Sequence, residues 1–323
     1  MARIPRFVRL DTPTIYHLTS RTTLEGFPII DEDKDQLLSI IFNLCKVYFV
    51  DILGFCVMGN HFHLIIRMNT DDKEASNKEI MKRYSKHFGE ECEKNQQQVD
   101  AFRQRIGNLG LFIKDIKQKF TRHFNKRSNK RGFFWGDRFK SVIVEEGFPL
   151  VNSLAYIDLN PVRAGLVEKP EEYKWNTIGY IMQHGSENNL IRSDLWMDEW
   201  KNLSQYETVS MYKKFIYDTG AMSVDLSNIS ESDLSKRKRV KGDHIVRAAT
   251  FSRRCRYFTD SGVLGSHDFV KEIFERVKHS LGSKDTRRFS LVHGVGDVYS
   301  MRRLGKVDPP SHYNMTDKIY SLK

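Results

Sequence analysis

Residues 50–68, VDILGFCVMGNHFHLIIRM, constrain the fold more than any other stretch of the chain. Two runs rich in apolar and aromatic side chains flank Gly59-Asn60, and Asn and Gly accept the positive φ that a two-residue turn needs. The stretch therefore reads as a β-hairpin whose returning strand begins at His61. Successive side chains of a strand leave opposite faces, so His61 and His63 share one face while Phe62, Leu64 and Ile66 share the other. The result is a pair of nitrogen donors on a rigid floor. Taken alone, an H-x-H pair fits equally well as two polar side chains on the wet face of a half-buried strand.

The flanking sequence supplies the rest of a sheet. TIYHLTSR (14–21) alternates with period two as a strand does, and IIDEDKDQLLSIIFNLCKVYF repeats its apolar residues at helical spacing. From about 71 to 130 the chain is polar and helical in character, with Lys114, Lys117, Lys119, Arg122, Lys126, Arg127, Lys130 and Arg131 spaced so that several share a face. FFWGDRFKSVIVEEG returns to strand chemistry. FPLVNSLAYIDLNPVRAGLV reads as a helix stopped by Pro161, because the residue before a proline is biased away from helical angles. The order β-α-β-β-α-β-α predicts an α+β fold, an antiparallel-rich sheet with helices packed on one face.

Composition shifts at HGSENN (184–189), which marks a domain edge at 185. Residues 186–245 read as a helical segment and a basic linker, with five basic residues inside 236–241. Residues 246–323 read as a small C-terminal appendage and a candidate DNA-binding piece, in a mainly helical extension. Lys and Arg number 52 against 41 Asp and Glu, a formal net charge of +11. Such an excess concentrates polyanions at a surface, and nucleic acid is the first partner to expect. The cysteines, Cys45, Cys56, Cys92 and Cys255, have no C-x-x-C spacing, which excludes a zinc ribbon and a disulfide framework and suits a reducing compartment. The N-terminus carries Arg3, Arg6 and Arg9 with no apolar core, and no stretch reaches the ~18 apolar residues of a membrane span. The expectation is a cytoplasmic protein, nucleoid-associated when bound to DNA, with no membrane partner.

The chemistry concentrates at AYIDLNPVRAG (155–165). In a helix Asn160 lies at i+4 from Tyr156 and shares its face, whereas Asp158 at i+2 points away. Laid across the hairpin, this helix would add the Asn160 amide oxygen to His61 and His63 as a third metal ligand and hold the Tyr156 hydroxyl nearby. Tyrosine serves as a covalent nucleophile, and a divalent ion polarises a phosphoryl oxygen. Taken alone, Tyr156 reads first as a core aromatic with its hydroxyl at the rim.

GNHFHLIIR resembles the histidine-hydrophobe-histidine (HUH) motif, and YIDLNPVRAGLV resembles the tyrosine helix, of the single-tyrosine HUH transposases, specifically the REP-associated tyrosine transposases. FFWGDRFKSVIVEE and EEYKWNTIGYI sit where that family has similar stretches, so the resemblance spans roughly residues 1–185. It implies a ferredoxin-like sheet, the HUH endonuclease fold, bearing the histidines on a central strand. It further implies that His61, His63 and Asn160 bind Mg²⁺ or Mn²⁺. Tyr156 would then cleave single-stranded DNA at hairpin-associated, REP-like sites through a 5′-phosphotyrosine, as a monomer or as a homodimer. Relatives often carry histidine where this chain has Asp158. Trp135, with Phe133, Arg138 and Lys140, offers the aromatic and basic mixture that single strands require, with Arg163 near the scissile phosphate and Lys117 and Arg122 tracking the backbone. Two other readings remain open. HLT (17–19) paired with HFH (61–63) suggests a metal-independent, two-histidine RNA-end phosphoesterase, and loss of activity on the same fold would give a DNA-binding regulator.

Overall fold

The computed structural model describes residues 12–69, 75–89, 95–185, 191–219, 256–281, 289–292 and 295–302. The basic run at 236–241 and the arginines at 3, 6 and 9 lie outside the described residues.

The chain is a mixed α/β protein. In order it forms β1 (Thr14–Arg21), α1 (Asp31–Cys45), β2 (Val50–Val57), β3 (His61–Met68), α2 (Asn77–Phe88), α3 (Gln96–Ile106), α4 (Leu109–Arg127), β4 (Lys140–Val144), α5 (Phe148–Asp158), α6 (Asn160–Arg163), α7 (Thr177–His184) and α8 (Gln205–Thr219). A one-turn helix (Tyr257–Asp260), β5 (Val263–Gly265), a further helix (His267–Leu281), β6 (Ser290–Leu291) and β7 (Tyr299–Ser300) follow. The strands make one seven-stranded sheet in the order β2-β3-β1-β4-β5-β7-β6, antiparallel throughout except between β4 and β5.

Local signals explain the boundaries. The 58–61 turn closes with the Met58 N–H donating to His61 O at 2.8 Å, as the Gly59-Asn60 pair predicts. The polar region after the hairpin divides into three helices, because Ser76, Asn95 and Asn108 each cap a helix N-terminus with a side-chain oxygen. Helix α2 ends at Gly89, whose φ of 74° reverses the chain at no steric cost. On α4 the apolar residues Phe112, Ile113, Ile116, Phe120 and Phe124 recur at helical spacing, and all are buried.

The register decides which residues share a face. Thr19 pairs with His63 and Arg21 with His61, while Leu18 pairs with Leu64 and Tyr16 with Ile66. Directly opposed residues lie on the same side of a sheet. One face thus carries His17, Thr19, His61 and His63, and the other carries Tyr16, Leu18, Phe62, Leu64 and Ile66. Helices α1 and α4 cover the apolar face: Phe42 packs on Phe55, and Phe62 meets Trp135, which in turn packs on Phe120. Helix α5 covers the histidine face, where a Cβ on Gly54 would strike the Leu154 side chain. The expectation of helices on one face is therefore corrected. Strand β1 is buried at nearly every position, a pattern that a single helical layer cannot produce.

Residues 256–302, within the stretch read from the sequence as a small C-terminal appendage, add β5, β7 and β6 to the same sheet beyond β4. Among the described residues no helix is long and apolar enough to cross a membrane.

Candidate functional site

A cleft of about 940 Å³ opens on the histidine face. Its walls include His61, His63, Tyr156, Asn160, Arg163, Phe133, Trp135, Arg138 and Lys140, all singled out in the sequence. Lys117 and Arg122 are not among its lining residues. Lys117 reaches toward it from behind, donating to Asp137 O at 3.2 Å, while Arg122 is exposed on α4.

The two imidazoles stand edge to face, with centroids 5.1 Å apart and planes at 81°. Each is oriented through Nδ1. His61 Nδ1 lies 2.7 Å from Asn60 Oδ1, and Asn60 in turn donates its amide N–H to Gly26 O at 3.1 Å. Because the Asn60 amide nitrogen is committed as a donor, its oxygen faces His61 and accepts the Nδ1–H. The His61 lone pair then resides on Nε2. His63, only 3% exposed, places Nδ1 2.8 Å from His17 Nε2 and 3.1 Å from Thr19 Oγ1. His17 is itself buried, with Nδ1 2.7 Å from Phe258 O, and burial lowers its pKa to about 4. His17 is the residue that sequence reading did not assign to this centre. Its signal was the H-x-T at 17–19, but the 46-residue separation from His63 hid the contact until β1 and β3 were in register.

Tyr156 projects from α5 with its ring centroid 6.0 Å from that of His63. It is 2% exposed, held between the Phe258 ring, stacked at 4.7 Å, and the Arg163 guanidinium, 4.4 Å from its centroid. The helix that bears it breaks after Asp158 and restarts at Asn160. Pro161 explains the break, since it has no N–H to donate to the carbonyl one turn back. Asn160 nevertheless reaches the cleft wall with Tyr156. Its Oδ1 accepts from Arg163 Nη2 at 2.6 Å, and the same Nη2 donates to Tyr156 O at 2.7 Å. The Asn160 Nδ2 is buried and has no hydrogen-bond partner among the described residues. Asp158 turns away from the cleft into a buried network with Tyr212 and Thr177.

Of the two aromatics before β4, Trp135 is the buried one and Phe133 the exposed one. Trp135 is only 7% exposed, its indole N–H donates to Lys117 O at 3.0 Å, and its ring packs on Phe62, Phe120 and Phe134. It is a structural wall with little face to offer a base. Phe133, two residues earlier, is 93% exposed and lines the same cleft. Lys140 holds Asp260 at 2.6 Å, and Arg138 is exposed at the rim. Arg21 joins the lining from the end of β1.

Residues 12–105 match the sequence family described as "Transposase IS200 like", a span that holds His17, His61 and His63 and ends before Tyr156. A Haemophilus influenzae protein described as a REP-associated tyrosine transposase is 20% identical over 158 residues, covering 48% of this chain and 69% of that one. A solved structure, a REP-associated tyrosine transposase bound to a REP hairpin, aligns over 59% of this chain and 90% of its own at 14% identity, with a TM-score of 0.39. The chain is thus similar over residues 12–105 to the IS200-like transposase family and over 158 residues to a protein described as a REP-associated tyrosine transposase.

Proposed function

We propose that the chain cleaves and rejoins single-stranded DNA with Tyr156 as nucleophile, assisted by a divalent cation held by His61, His63 and Asn160. The observation that carries this reading is the convergence of those four side chains on one basic cleft. The phenol oxygen attacks the scissile phosphorus, the bond from phosphorus to the 3′ oxygen breaks, and the phenol proton is transferred overall to the departing 3′ oxygen. The products are a 5′-phosphotyrosine and a 3′-hydroxyl, and reversal on a new strand completes transfer. The order β2-β3-β1-β4 of the first four strands supports the ferredoxin-like reading of this core.

The residues present suit Mg²⁺ or Mn²⁺. The donor set is two imidazoles and an amide oxygen, and among the described residues no group of three or more His, Cys, Asp or Glu is placed to hold a metal ion. Such a set leaves about half of an octahedral shell for water and phosphate oxygens, and its nitrogen ligands favour Mn²⁺ over Mg²⁺. A bound cation would supply Lewis-acid stabilisation of phosphate charge. The protein's own groups do the rest. Arg163 clamps Asn160 beside Tyr156 and places a guanidinium at the phosphate's approach, and the Phe258 ring fixes the plane of the phenol. Exposed Phe133 offers a base a stacking surface at the cleft, and Arg21 and Arg138 offer charge to the backbone. REP-like hairpins are the DNA this resemblance points to, with hairpin-flanking single strand entering the cleft.

The metal-independent two-histidine reading fits the geometry poorly. It requires two imidazoles facing a substrate, yet His17 is 1% exposed and spends one nitrogen on Phe258 and the other on His63.

Incubation of the full chain with Mn²⁺ and a hairpin oligonucleotide bearing a 5′ single-stranded extension tests the proposal. The expected result is a denaturant-resistant adduct on the tryptic peptide containing Tyr156, absent from Tyr156→Phe, which still binds the DNA. An adduct on another tyrosine, or undiminished cleavage in excess chelator, would overturn it.

A further inference from the structure

The orientation of His63 is set from the far end of the chain. Phe258 O can only accept, so the His17 nitrogen 2.7 Å from it, Nδ1, carries a hydrogen. His17 is 1% exposed, and its ring nitrogens face a carbonyl and an imidazole with no carboxylate bonded to either, so the nitrogen opposite Nδ1 is the lone-pair acceptor, and it faces His63 Nδ1 at 2.8 Å. His63 Nδ1 must therefore carry the hydrogen, with Thr19 Oγ1 at 3.1 Å as a second acceptor. This puts the His63 lone pair on Nε2, the form a metal ligand needs. His61 reaches the same tautomer through Asn60, its immediate neighbour in the chain, whereas the relay behind His63 runs to a carbonyl 241 residues beyond His17.

The residue that ends this relay also touches the nucleophile. Phe258 is fully buried and stacks on Tyr156 at 4.7 Å with 21° between the planes. Its position is fixed by the sheet: β5 pairs parallel to β4, Ile143 N–H donates to Gly262 O at 2.9 Å, and Asp260 is held by Lys140 and by the Arg302 guanidinium on its carbonyl.

We infer that His17 is a positioning residue for the metal site, and that the segment around Phe258 is a working part of that site, its carbonyl selecting the His63 tautomer through His17 and its ring aligning Tyr156. The inference rests on the proposed metal role of His61 and His63. Losing an outer-shell partner of this kind weakens metal binding about 10- to 100-fold.

The test uses the metal-free full chain with ¹⁵N-labelled histidine, read by long-range ¹H–¹⁵N correlation. Wild-type His63 is expected to show a protonated Nδ1 and a pyridine-like Nε2. In His17→Phe, which keeps a ring but removes the acceptor, His63 should lose that single tautomer and Mn²⁺ affinity should fall about 10- to 100-fold. His17→Gln, which returns an acceptor oxygen near the lost Nε2, should restore most of both. A wild-type His63 protonated at Nε2 overturns the relay whether or not any variant folds, and so does a folded His17→Phe with unchanged tautomer and unchanged Mn²⁺ affinity. Wild-type protein in which Mn²⁺ leaves the His61 and His63 resonances unperturbed overturns instead the metal reading beneath it.

Discussion

Two aspartates, Asp33 under the apolar face of the sheet and Asp158 behind the histidine face, are both fully buried, and they are satisfied in opposite ways. Asp33, on α1, meets a cationic side chain of α4: Arg127 donates to it at 2.6 and 2.8 Å, and the His123 imidazole lies 3.2 Å away. Asp158, at the end of the tyrosine helix α5, meets no cationic side chain among the described residues. Its oxygens take the Tyr212 hydroxyl at 2.6 Å from α8 and the Thr177 N–H at 2.8 Å from α7, while its carbonyl accepts from the Asn176 amide at 3.1 Å. Burial pushes its carboxyl up to about 7 against these bonds. The first arrangement is an ionic clamp that fixes the scaffold. The second is a hub of neutral donors that holds the tyrosine helix against segments the sequence had placed outside or at the margin of the catalytic part.

The contrast can be broken at three points. The largest effect is expected from Arg127→Ala, which removes the main partner of a fully buried carboxylate and should cost about 3–5 kcal/mol in urea unfolding. A loss below about 1 kcal/mol would mean that His123 and water suffice and that no clamp exists. Next, Tyr212→Phe removes one hydrogen bond to Asp158 and keeps the ring, so about 1–3 kcal/mol should be lost. Adduct formation by Tyr156 should slow with DNA affinity unchanged; an unaltered rate would uncouple α8 from the cleft. The third effect is a slope. Asp158 holds its proton up to about pH 7 in the folded chain, whereas the unfolded chain releases it near the ordinary carboxyl value of 3.8. Across that window the native state binds more protons, so this contribution is complete below about pH 4 and is lost as pH rises through 7, by at most about 1.4 kcal/mol per pH unit. Asp158→Asn should flatten that part of the stability profile, and a wild-type profile that instead rises over this range would show the carboxylate to be ionised in place.

The parts of the molecule that were legible in sequence are those encoded by short-range pattern. The hairpin at 59–60, the shared face of His61 and His63, and the placement of Tyr156 and Asn160 on one side of their segment follow from periods of two and 3.6 acting over a dozen residues. What stayed hidden depends on contacts between distant segments. His17 enters the sequence reading only through the H-x-T of the two-histidine alternative, and register alone sets its ring against His63. Trp135 and Phe133 are both aromatics in one loop, and only the packing of Phe62 and Phe120 decides that the first is buried and the second exposed. Strands β5, β6 and β7 are two or three residues long, too short to show any alternation. Asp158 looked like a departure from the histidine of relatives, and Tyr212 gives it a use in this chain.

The parallel pairing of β5 on β4 bears on how copies of the chain can meet. In the first four strands alone, β4 and β2 would both be open margins offering unpaired backbone to a neighbour. Strand β5 covers the first, and the sheet ends in two-residue β6. Along the second, Val57 N–H donates to Trp175 O, Ile52 O accepts from Arg192 N–H, and Phe55 bonds the Thr177 hydroxyl through both its N–H and its carbonyl. Among the described residues the chain itself thus occupies both margins of the four-strand core, and the outermost strand left to a neighbouring sheet on the β4 side is only two residues long.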